Sequence, residues 1–198
     1  KLAFNCLDER CSGDIDILIP KKQINNIEKL LSKHDFYSNR NTHGDRVMML
    51  IGSHQVTSWY KNSSPCGQVI IDLNFDIFWG EYEGKRIDIE EFLSDTIEME
   101  IYGVKVKTLP PLKAMTQLIL HHYKDMNSLF LLATRKSIKY DMFKDVYYLL
   151  KNNLDAISLD KLYAMSVEYE IIPYVFYVLY YTGQVFDDDI LKQYIEAF

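Results

Sequence analysis

At 198 residues, with 48% hydrophobic and 25% charged side chains, the chain is long enough to bury one large core or two smaller ones. A net charge of −6 excludes a general polyanion binder, because affinity for a phosphate backbone needs a surplus of Lys and Arg. No apolar run reaches the length of a membrane span. The three cysteines, Cys6, Cys11 and Cys66, lack metal-ligand spacing, so reduced thiols in a cytoplasmic protein are the expectation.

Residues 1–9 read as the tail of a helix leading into a Ser12-Gly13 turn. Strand one is predicted over 14–19, where Asp14 and Asp16 open an apolar, β-branched run. Side chains at i and i+2 of a strand share a face, so the two carboxylates aim together into one site. Held side by side they repel each other unless a cation sits between them, and oxygen-only ligands favour Mg²⁺ or Mn²⁺. Pro20 then starts a helix over about 21–34, with Ile24, Ile27, Leu30 and Leu31 as its apolar face. Gly44-Asp45 and Gly52-Ser53 bracket 46–51, and 54–61 follows. The expectation there is a hairpin turning at Gly52. A Ser-rich loop with Pro65 fills 62–67.

A second informative strand is predicted over 68–79. From Ile71 onward it alternates, with Asp72, Asn74 and Asp76 on one face and Ile71, Leu73, Phe75 and Ile77 on the other. A short helix over 89–94 and a hairpin turning at Tyr102-Gly103 come next. Pro110-Pro111 marks a boundary, because consecutive prolines stop a sheet and set up a helix start. Beyond it the spacing is helical: Leu112, Met115, Ile119, His122 and Met126, then Met142, Val146, Leu149 and Leu150. Further helices are predicted over 158–169, 171–182 and 187–197, the last behind an Asp187-Asp188-Asp189 cap region. The fold class is therefore α+β, a mixed sheet with flanking helices over 1–109 followed by a C-terminal helical domain over 110–198.

Three carboxylates can hold two cations about 3.5–4 Å apart for phosphoryl transfer, and Asp14, Asp16 and Asp72 supply such a set, with Asp76 as a substitute third. The bland reading leaves Asp72 and Asp76 facing solvent on an edge strand. Arg135 and Lys139, placed on one helix, share a face that could meet a triphosphate or simply be solvated. No histidine pair has metal spacing, and His121 and His122 read as structural.

The run Arg10-x-Ser12-Gly13-Asp14-Ile15-Asp16-Ile17-Leu18-Ile19 resembles the polymerase-β-type nucleotidyltransferase superfamily, and within it the family of uncharacterised nucleotidyltransferases. Ile71-Asp72-Leu73-Asn74-Phe75 matches a later V-D-L-H-W strand in layout. Leu109-Pro110-Pro111, His121 or His122 with Lys124, and Asp145 through Leu150 match a helical segment. The resemblance implies a nucleotidyltransferase-like fold and an NTP in a cleft between domains. It implies Mg²⁺ on Asp14, Asp16 and Asp72, with Arg10, Ser12 and Gly13 on the phosphate side. An acceptor hydroxyl would attack the α-phosphate, helped by Asp72. The superfamily's glycine step, about ten residues upstream of the carboxylates, is replaced by Lys1-Leu2-Ala3; it is either lost or lies before the chain's first residue. Asn74 stands where the family tends to have His.

The partners expected are an NTP and an unknown acceptor, a small molecule or a protein; long nucleic acid is disfavoured by the charge, and no membrane is involved. Oligomeric state is not legible. The rival readings are a catalytically degenerate nucleotide-binding or protein-interaction module, and a D-x-D glycosyltransferase. The second is disfavoured because its carboxylate pair normally ends an apolar strand, whereas here it begins one.

Overall fold

A computed structural model describes residues 2–4, 13–39, 42–63, 67–80 and 82–198. Arg10, Ser12, the three cysteines, Pro65 and the helical expectation over 5–9 lie outside the described residues. The chain divides into two compact units. Cys11–Glu83 with Ile87–Phe92 form a sheet unit, and Lys1–Arg10, Gly84–Arg86 and Leu93–Phe198 form a helical unit.

The sheet unit is a mixed sheet of four strands in the order β1-β4-β3-β2: β1 (Ile15–Leu18), β2 (Tyr37–Ser38), β3 (Trp59–Ser63) and β4 (Gly67–Asn74). β1 runs parallel to β4, while β3 is antiparallel to both β4 and β2. The parallel pair needs a crossover, and the intervening helices supply it. One face of the sheet carries the core, built from Ile19, Val56, Trp59, Ile71, Leu73 and Phe75. The helix α1 (Ile24–Lys33) covers it with Ile24, Ile27 and Leu31, at the spacing of one helical face. Leu30, expected on that face, is half exposed instead. A 3₁₀ turn over Lys21–Gln23 precedes α1, so the helix begins later than Pro20 suggests.

The expected hairpin turning at Gly52 is a helix, α2 (His43–Gly52). Its start is fixed by a capping box: Asp45 N donates to Thr42 Oγ1 at 3.1 Å, and Thr42 N donates to Asp45 Oδ2 at 2.9 Å. Arg46 then clamps α2 to α1, donating to both carboxylate oxygens of Glu28 at 2.9 and 2.7 Å and to Asn25 Oδ1 at 2.8 Å. Val47 and Ile51 gave the segment a strand-like composition, but the cap and this clamp decide for helix. Gly52 is the last residue of α2, and its carbonyl lies so close to Gly80 that a Cβ there would strike it.

β4 stops at Asn74, short of the expected strand to 79. Phe75 N and Asp76 N both donate to His54 O, and the Asp76 carboxylate accepts from Phe78 N at 3.0 Å. Asp76 thus lies in the turn beyond the end of β4, where its carboxylate serves that turn. The short helix α3 (Ile89–Phe92) completes the unit, capped by Asp88.

In the helical unit, β5 (Ile97–Ile101) and β6 (Val104–Thr108) form the expected hairpin. Its turn residues Tyr102 and Gly103 have φ of 49° and 77°, the left-handed pair that a tight hairpin turn requires. Six helices follow: α4 (Pro111–Asn127), α5 (Leu129–Ala133), α6 (Tyr140–Lys151), α7 (Leu159–Glu168), α8 (Ile172–Val185) and α9 (Asp189–Ala197). α8 is central and packs against α4, α6, α7 and α9. The predicted stripe Met142, Val146, Leu149 and Leu150 is buried. Among the described residues, no helix is long and apolar enough to cross a membrane.

Candidate active site

The parallel ladder sets Ile15 beside Ile71, Asp16 beside Asp72, Ile17 beside Leu73 and Leu18 beside Asn74. Because Ile71 and Leu73 point into the core, the alternation turns Asp16 and Asp72 together onto the opposite face. Neighbouring strands lie about 4.8 Å apart, so the two carboxylates are direct neighbours. Asp14 stands one residue before β1. Asp14 and Asp16 are exposed, while Asp72 is half-buried with Oδ1 fully enclosed. Two ionised carboxylates at such a spacing repel by roughly 1–3 kcal/mol, depending on how much water screens them.

The structure adds a residue that sequence reading left without a role. Asn74 is buried, at 6% exposure, two residues after Asp72 on the same strand face, and its Nδ2 donates to Asp16 Oδ1 at 2.9 Å. The alternation of β4 was the signal for it. Among the described residues, no group of three or more His, Cys, Asp or Glu side chains forms a ready-made metal-ligand cluster. The donor chemistry nonetheless suits a hard divalent cation: the adjacent Asp16 and Asp72 offer only oxygens, with Asp14 two residues from Asp16.

The remaining predicted residues fall elsewhere. Gly13 is exposed in the bend that precedes β1, with open space where a Cβ would stand. Arg135 and Lys139 do not share a helical face. Arg135 follows α5 in a left-handed conformation, φ 57°, and Lys139 is the N-cap of α6, so both lie in the link between these helices. α5 ends at Ala133 with Thr134 as its C-cap, and α6 does not begin until Tyr140, which is why the shared face failed. On α4, His122 is buried and His121 Nε2 lies 3.3 Å from Asp125 Oδ2. Burial pushes the Asp125 carboxyl up, but the bond and charge of His121 and the charge of Lys124 outweigh it and bring it down to about 2. That group is an ion pair internal to the helical unit.

A cavity of about 490 Å³ opens between α1, α2 and β3, over Met49, Val56 and Trp59 and beside the Arg46–Glu28 pair. Trp59 pairs with Ile71 in the ladder, so this cavity sits on the core side of the sheet, away from the carboxylates.

A protein-family model described as an uncharacterised nucleotidyltransferase matches residues 1–187. No curated protein and no solved structure matches the chain.

Proposed function

Because the chain belongs to the uncharacterised nucleotidyltransferase family, we propose that it moves a nucleoside monophosphate from an NTP to an acceptor hydroxyl. The observation that carries the reading is the in-register pairing of Asp16 with Asp72 on the face of the sheet opposite the core. Asp14, Asp16 and Asp72 hold a divalent cation, Mg²⁺ or Mn²⁺. When bound, such a cation neutralises triphosphate charge and lowers the pKa of an attached hydroxyl. Asp72, set beside Asp16, takes the proton as the acceptor oxygen attacks the α-phosphorus. The new O–P bond forms on that atom while the bond to the β-phosphate oxygen breaks and pyrophosphate leaves. Gly13 presents backbone to the phosphates without a side chain in the way.

The acceptor is a small hydroxylated molecule or a protein side chain, since the net charge of −6 opposes a long nucleic acid. A supply of NTP fits the cytoplasmic location expected from the cysteines.

The test is incubation with each α-labelled NTP and a panel of hydroxylated acceptors in Mg²⁺ or Mn²⁺. Label transfer in the unaltered protein, reduced at least about 100-fold in Asp16→Asn and in Asp72→Asn, supports the reading. NTP binding with no turnover under any condition would instead make the protein a nucleotide-binding module. Transfer that survives both substitutions would remove the carboxylates from the mechanism.

A further inference from the structure

We propose that Asn74 is the positioning residue of this site, a neutral donor that fixes the rotamer of Asp16. The inference rests on the transferase reading above. A primary amide buried to 6% exposure needs partners, because leaving its donors unmet costs about 1–3 kcal/mol. Its nitrogen is spent on Asp16 Oδ1, at 2.9 Å, although Asp16 is exposed and could be solvated by water alone. Exchanging water for the amide adds little to stability. What the bond supplies is orientation: one Asp16 oxygen is tied down and the other is left for a ligand.

The origin of the amide is itself fixed from both sides. Asn74 O accepts from Ile19 N at 2.9 Å on the β1 side. Gln55 bridges Asn74 on the other, and Phe75 N donates to His54 O at 2.8 Å. β4 ends at this residue, so its side chain is the last on the carboxylate face, diagonal to Asp16 across the ladder. An amide also suits the charge there. It donates to a carboxylate beside a second carboxylate without adding a charge of its own, and it keeps donating at every pH at which the protein is folded.

The experiment uses the full chain without nucleotide. Mn²⁺ affinity is read by electron paramagnetic resonance for the unaltered protein, Asn74→Leu and Asn74→His, with thermal unfolding of each. Asn74→Leu keeps the branched shape but removes the donor, and should weaken Mn²⁺ binding about 10- to 100-fold, the usual effect of losing a partner behind a metal ligand. Asn74→His restores a donor and should recover most of that loss, which a merely structural role would not produce. Should Asn74→Leu not fold, the Asn74 side-chain amide signals of the unaltered protein carry the test. They are expected to shift on addition of Mg²⁺ and to lose exchange protection in Asp16→Asn. Signals indifferent to both would overturn the proposal. Mn²⁺ binding unchanged in a folded Asn74→Leu would overturn the positioning role alone. Failure of the unaltered protein to bind Mn²⁺ would overturn the transferase reading and this role with it.

Discussion

Asp188 shows how one carboxylate can tie distant parts of a fold. Its Oδ2 accepts from Tyr147 Oη at 2.7 Å and from Lys151 Nζ at 2.9 Å, while its Oδ1 caps α9 by accepting from Ile190 N at 2.9 Å. Phe186 stacks flat on Tyr147, with ring centroids 4.3 Å apart, and closes one side of the cluster. Lys151 first, and then Tyr147, hold the Asp188 carboxyl down at about 2 against the penalty of burial. In the unfolded chain the group titrates near 4, so its contribution is fully present above that value and is lost as pH falls through about 2. Asp188→Ala should therefore cost about 1–2 kcal/mol at neutral pH, mostly through the lost cap, and the gap from the unaltered protein should shrink between about pH 4 and pH 2. Urea unfolding at pH 7 and at pH 2.5 checks this, and an equal gap at both would remove Asp188 from the acid response. The cap was legible in the Asp187-Asp188-Asp189 run, because capping is local. The Tyr147 and Lys151 partners were not, since they lie 41 and 37 residues away and no local pattern encodes that reach. Asp16 and Asp72 are 56 positions apart too, yet each sat in a strand whose alternation gave its face away.

At the scale of elements, the mistaken hairpin around Gly52 and the correct one at Tyr102-Gly103 form a useful pair. In β5–β6 the turn residues and the flanking alternation agree, so the short-range signal is sufficient. Over 43–52 two signals conflict. β-branched Val47 and Ile51 argue for strand, whereas Thr42-x-x-Asp45 argues for a helix start. The capping box satisfies backbone donors that a helix would otherwise leave bare, and the Arg46–Glu28 pair adds tertiary support. α2 should consequently depend on its cap: Thr42→Ala should destabilise the sheet unit by about 1 kcal/mol, with Thr42→Ser close to unaltered. Chemical denaturation followed by tryptophan fluorescence reads this directly. If Thr42→Ala were neutral, the Arg46 clamp alone would account for the helix. The same competition explains α5, which no periodicity announced because it is five residues long and owes its start to Ser128.

For the whole molecule, the sequence pattern of mixed α/β followed by all-α is what the chain builds, and Pro110-Pro111 does open α4. The two compact units cut the chain differently from its composition, since the β5–β6 hairpin groups with the helices and Ile87–Phe92 with the sheet. Such interleaving leaves each unit its own core. Leu73 is fully buried in the sheet unit, and Leu179 is fully buried in the helical one. Two independent cores should give two cooperative transitions, and the chain carries convenient reporters for them. Both tryptophans, Trp59 and Trp79, belong to the sheet unit, whereas α4 to α9 belong to the helical unit and dominate the far-ultraviolet circular dichroism. Truncating a fully buried leucine to alanine costs about 2–5 kcal/mol. Leu179→Ala should accordingly lower the transition seen by circular dichroism more than the one seen by tryptophan fluorescence, and Leu73→Ala should do the reverse. If both probes moved together in both variants, the units would unfold as one. Mn²⁺ would then stabilise the whole chain by mass action rather than the sheet unit alone, where Asp16, Asp72 and Asn74 all reside.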